Sequence, residues 1–112
     1  MEKEEIAEHY ELMIAKPSKD GGYLASKIIE HASGIMHDSR DAIVSVFKEW
    51  LQPGRRSHVS LGIAIIGELH LVELKSDLED LQRRIAEGSM KFNRSAKMVH
   101  LMNIAQVLRE LE

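Results

Sequence analysis

Residues 57–74, SHVSLGIAIIGELHLVEL, constrain this chain more than any other stretch. Leu61, Gly62, Ile63, Ala64, Ile65 and Ile66 form an unbroken apolar or small run, and Leu69, Leu71, Val72 and Leu74 return at helical offsets. A short run rich in Val and Ile also suits a buried strand, because periodicity alone does not separate the two. Length and flanks favour a helix. Pro53-Gly54 punctuates the chain upstream, Ser57 or its neighbour can cap a helix start, and the pattern persists for about four turns, beyond a typical strand. Such a helix spans roughly 25 Å. It is apolar around most of its circumference, so it is predicted to lie inside the protein with helices on two sides, burying both Ile65 and Ile66.

The rest of the composition says what kind of protein surrounds it. With 112 residues, 44% of them hydrophobic and 29% charged, the chain suits one globular domain and not a disordered one. It has no cysteine, which excludes disulfides, thiolate metal sites and cysteine nucleophiles and fits a cytoplasmic location. The opening MEKEEIAEHY is acidic where a secretory signal is basic, and the run 61–66 is too short to span a bilayer, so no membrane partner is expected. A net charge of −3, basic pairs at only Arg55-Arg56 and Arg83-Arg84, and 4% aromatics argue against nucleic acid as a partner.

Apolar spacing and breakers predict six helices. The first covers 2–16, with Ile6, Tyr10, Met13 and Ile14 on one face and Pro17 as its stop; Ser18 to Gly22 reads as a turn. The second runs from Tyr23 to Ser33 and ends at Gly34; the third is capped by Asp38 or Ser39 and stopped by Pro53-Gly54. After the central helix, Ser76-Asp77-Leu78-Glu79 reads as a capping box opening a fifth helix that stops at Gly88. A sixth helix, from Ser95 to Leu111, is expected to bury Met98, Val99, Met102, Ala105 and Leu108.

The six helices repeat. A shift of 37 places Leu24, Ala25, Ile28, Ile29, Ala32 and Ile35 on Leu61, Gly62, Ile65, Ile66, Leu69 and Val72, and Ile6, Tyr10 and Pro17 on Ile43, Phe47 and Gly54. A shift of 36 places Ile63, Ile66, Leu69 and Val72 on Val99, Met102, Ala105 and Leu108. The fifth helix follows the third with a shift of 34. The expected architecture is therefore all-α, with three antiparallel helical hairpins at about 2–35, 38–74 and 76–111. A plain bundle with a fortuitous period is the alternative. The pattern resembles the HEAT-like α-helical repeats, and that resemblance implies hairpins stacked into a short α-α superhelix that works by binding another macromolecule.

No pattern of catalytic residues is coherent. His37-Asp38 is similar to the metal-holding dipeptide of HD phosphohydrolases, with His9 upstream, and that resemblance implies a metal-dependent phosphohydrolase as the alternative function. Asp38 as a helix cap explains the dipeptide equally well. Glu68, His70 and Glu73 share the central helix, but the order is the reverse of the Glu-x-x-His used by di-iron bundles and has no second copy. There is no glycine-flanked serine elbow and no phosphate-binding glycine loop. We therefore expect no enzyme, no cofactor and no bound metal.

In a HEAT-like stack the second helices line the inner face. The outward stripe would be Lys27, Glu30 and His31, then Ser60, Ala64, Gly67 and His70, then His100, Asn103 and Gln106. These ten residues are the expected partner-binding set. Ala64 and Gly67 are small either to let a partner approach the backbone or because another helix packs there. A protein partner is expected, as for a bacterial immunity-type protein that neutralises a toxin or for a small adaptor, and self-association is compatible with the same face.

Overall fold

The computed structural model describes residues 2–16 and 21–112 and is all-helical among them. Five α-helices follow in order: α1 (Lys3–Ala15), α2 (Gly21–Trp50), α3 (Val59–Leu69), α4 (Lys75–Glu87) and α5 (Arg94–Glu110). Short 3-10 helices at Pro53–His58 and Val72–Leu74 join α2 to α3 and α3 to α4. No described helix is long and apolar enough to cross a membrane.

The central helix is as buried as its composition demands. Val59, Gly62, Ile63, Ile65, Ile66 and Gly67 are buried, and Ile65 and Ile66, which point different ways, are both 0% exposed. Helix α3 packs on α2 along one side and on α5 along another, which leaves Ser60, Ala64 and Glu68 as a narrow exposed stripe. It is shorter than the predicted 57–74. His70 adopts a left-handed conformation at φ 52°, and the Leu71 amide closes onto the Ile66 carbonyl at 3.2 Å. Gly88 ends α4 in the same way, with the Ser89 amide on the Arg84 carbonyl at 2.9 Å. This is a Schellman-type closure, normally given to glycine. The apolar spacing of Leu71, Val72 and Leu74 conceals it at His70, because Leu71 and Leu74 are buried beyond the helix end while Val72 is 50% exposed.

Helix α2 is two limbs, and the break lies at Ser39 (φ −126°, ψ 22°), not at Gly34. A straight helix would hold residues 31 and 47 roughly 24 Å apart. Yet the Tyr10 ring lies 5.4 Å from the His31 ring and 5.9 Å from the Phe47 ring. The limbs 21–38 and 40–50 therefore fold back toward each other, with α1 laid against both. Gly34 continues the first limb, and no atom outside its own helical turn lies within 4 Å of where its Cβ would be. Asp38 lies within the helix, the kink falls on Ser39, the other residue expected to cap the third helix, and Gly21 and Gly22 are already helical. Pro17 and the rest of the expected turn up to Asp20 lie outside the described residues.

An aromatic cluster closes this corner. Phe47 meets Trp50 edge-on at 4.9 Å, Trp50 meets His58 at 5.1 Å, and Tyr10 packs against both Phe47 and Trp50. Gly62 of α3 lies directly on Trp50, with 3.6 Å from its Cβ position to the Trp50 Cβ. Arg40, one residue past the kink, forks onto Glu73 at 2.7 and 2.9 Å and reaches the His70 carbonyl at 3.3 Å. The guanidinium beside it holds the Glu73 carboxyl below its ordinary range.

Two further expectations change. Helix α4 begins at Lys75 with Leu74 as its cap residue and no side-chain cap bond, so Ser76 does not form a capping box, although Leu78, Leu81 and Ile85 are buried as the spacing requires. On α5 the buried positions are His100, Ile104 and Val107, while Met98, Val99 and Met102 are 58%, 51% and 67% exposed. Ala105 and Leu108 are half-buried, Leu108 against the core, so three of the five residues expected inside lie on the outer face. Asn93 starts it, its side chain accepting the Ala96 amide at 2.8 Å.

Candidate functional site

Helices α3 and α5 meet at Gly67, and that contact creates a groove. The Cβ position of Gly67 is 3.0 Å from Val107 Cγ2, so the Val107 side chain occupies the space that a larger residue at 67 would need. The groove encloses about 300 Å³, floored by Ile63, Ala64, Gly67 and Val107 and rimmed by Ser60, Glu68, Asn103, Gln106 and Glu110. Gln106 Nε2 donates to Glu110 Oε1 at 3.3 Å, and Glu110 Oε2 stands 3.6 Å from the Cβ position of Gly67. The carboxylate thus overhangs the floor. One turn away, Val99 neighbours Asn103, and Met102 neighbours both Met98 and Gln106, at i,i+4 spacing. The groove therefore continues into an exposed apolar ridge.

Five of the ten residues selected from the sequence, Ser60, Ala64, Gly67, Asn103 and Gln106, converge on this groove. Gly67 does so as floor, buried against Val107, so its small size reflects helix packing, whereas Ala64 is exposed.

Lys27, Glu30 and His31 line a different hollow, between α1 and α2, together with His9 and Met13. There the Tyr10 hydroxyl and His31 Nδ1 share a hydrogen bond of 2.9 Å, and the His9 ring lies 4.5 Å from the His31 ring. Burial pushes the Tyr10 hydroxyl up to about 12.

The remaining two histidines belong to neither hollow. His70 forms the end of α3, and its Nδ1 lies 3.2 Å from the Gly67 carbonyl. His100 is buried against Phe92 at 4.5 Å, and its Nδ1 has no hydrogen-bond partner among the described residues. Neither stands on the polar stripe that the repeat alignment gave it.

His37 and Asp38 are exposed in α2 beside the kink, while His9 stacks on His31. Among the described residues no three His, Asp or Glu side chains converge as ligands for a metal ion. The sequence reasoning missed Met98, Val99 and Met102 because α5 carries apolar residues on both sides, and periodicity alone cannot say which side is covered. Glu68 and Glu110 were legible one turn beyond Ala64 and Gln106.

Two imidazoles set an acid limit on this fold. Burial lowers the His31 pKa below 6.5, and the neighbouring His9 lowers it further; burial alone lowers that of His100. Between the folded values and 6.5 the unfolded chain binds more protons, so stability rises with pH across that window and is lost as pH falls through it. We expect urea midpoints to fall between pH 7.5 and 5.5. In the double variant His31→Gln, His100→Gln the fall should be smaller. An unchanged slope in that variant would assign the acid sensitivity to other groups.

Comparison with protein-family models, with curated proteins and with solved structures found no match to this chain.

Proposed function

We propose that the chain is a non-catalytic binding module for another protein, and that its contact face is the α3–α5 groove with the adjoining ridge of Met98, Val99 and Met102. The observation that carries this reading is the coincidence of the two surfaces. A shallow floor of small residues with a polar rim lies beside three large apolar side chains that the fold leaves uncovered. Uncovered apolar area beside polar residues is the usual make-up of an interaction surface. Methionine suits such a surface because its flexible thioether chain adapts to a partner's shape.

The same reading takes the architecture as three hairpins in a HEAT-like stack. In support, α1 packs on α2, α2 on α3 and α4 on α5, while α3 against α5 joins the second pair to the third. A toxin-neutralising or adaptor role suits a module whose face is a groove of this size.

The decisive variant is Ala64→Arg. Ala64 is exposed on the groove, so a long charged side chain there obstructs a partner without entering the core. We expect proteins captured by cross-linking to the wild-type chain in producing cells to be lost in Ala64→Arg, with the melting temperature unchanged. A partner retained at wild-type level by a folded Ala64→Arg protein would place the interface elsewhere.

A further inference from the structure

The charges around the groove are one-sided. Among the described residues, its only ionisable lining groups are Glu68 and Glu110. Neither makes an ion pair among the described residues, which is equally true of exposed carboxylates such as Glu4, Glu5 and Glu79, but Glu68 and Glu110 stand beside an apolar floor. Glu110 is instead held over the Gly67 floor by the neutral amide of Gln106. Two uncompensated carboxylates thus border a floor made of Ile63, Ala64, Gly67 and Val107.

From this the geometry points to the partner's chemistry: an amphipathic helix that lays a lysine or arginine along the groove, its aliphatic stem on the exposed Ala64 and its cationic head between Glu68 and Glu110. This rests on the binding reading above and names what binds. Lysine and arginine are the side chains that combine a long apolar stem with a positive head. The ridge of Met98, Val99 and Met102 takes apolar residues one turn away on the same helix, as helix-in-groove recognition requires. The carboxylates contribute steering and selectivity against acidic segments, and the apolar ridge contributes contact area.

The test uses the full chain and a fluorescein-labelled synthetic peptide in which leucine and lysine recur at helical spacing, read by fluorescence anisotropy. A second peptide carries glutamate at every lysine. We expect the lysine peptide to bind and the glutamate peptide not to bind. Glu68→Gln with Glu110→Gln should weaken binding about tenfold, as expected for the loss of two interfacial ion pairs. Glu4→Gln with Glu5→Gln makes the same change in net charge on exposed positions of α1 and should leave binding unchanged.

Equal binding of the two peptides, or a lysine peptide indifferent to the Glu68 and Glu110 changes, overturns the basic partner. Met102→Asp separates the two readings. If it abolishes binding while the glutamate changes do nothing, the face binds without a preference for cations and the binding reading stands. If neither change affects binding of the lysine peptide, neither reading holds for this face.

Discussion

Replacing Ile66 by Ala is expected to cost on the order of 2–5 kcal/mol. Ile66 is 0% exposed at the centre of α3, the helix that α2 and α5 both pack upon. Truncation removes its transfer free energy and leaves a cavity between helices. Its neighbours Ile63 and Ile65 are already fully engaged in the core, so little collapse can refill the space. For a domain whose total stability is about 5–15 kcal/mol, such a loss removes a substantial share of the margin. Urea denaturation measures it directly, and a loss under about 1 kcal/mol would show that α3 is peripheral.

Gly67→Arg should be nearly as damaging, while Ala64→Arg, three residues earlier on the same helix, should be close to neutral. At Gly67 even a Cβ stands 3.0 Å from Val107 Cγ2, and Val107 is β-branched within a helix, where its rotamer has little freedom to yield. An arginine there forces α3 and α5 apart, at a cost of about 3 kcal/mol from overpacking. Ala64 faces the open groove, and its replacement should shift stability by less than about 0.5 kcal/mol. Thermal melts of the two variants side by side decide the matter. Equal melting temperatures would mean that the α3–α5 contact yields, and that Gly67 is accessible to a partner after all.

How far the sequence carries depends on whether a segment has one solution or two. Around Ile63 to Ile66 it has one, because a helix apolar on nearly every side can only be surrounded, and the structure surrounds it. Helix α5 has two, since Met98, Val99 and Met102 form one apolar row and Ile104, Val107 and Leu111 another. The positions of α3 and α4, which both pack on α5, select the second. The fold-back at Ser39 was half legible: the chain was expected to break between its second and third helices, but Gly34 drew the break too early. A glycine on an exposed helix face costs about 1 kcal/mol, which tertiary packing readily offsets. The groove was legible through the small and polar positions on the fourth and sixth expected helices, and its apolar ridge was not, because exposed methionines look like core ones until the fold is known.

The chain is fastened at its joints by arginine. Arg40 reaches the carbonyl of His70 at the end of α3, Arg84 that of Leu51 just past α2, and Arg56 that of Lys91 just past α4, at 3.3, 2.9 and 2.9 Å. Each bond links residues 30 to 35 apart in the chain, so each closes a long loop with one side chain. Helix ends leave carbonyls without intrahelical partners, and here residues past three of those ends receive a guanidinium N–H donor. Mild acid therefore reaches the imidazoles before it reaches the Glu73 carboxylate, which shares the Arg40 corner and is held below its ordinary range. As pH falls, the contacts of His31 with α1 and of His100 with Phe92 should loosen first, while the three guanidinium-held corners keep the helices in order. Hydrogen exchange at mild acidity should accordingly rise in α1 and around residue 92 before it rises at residues 51 and 70.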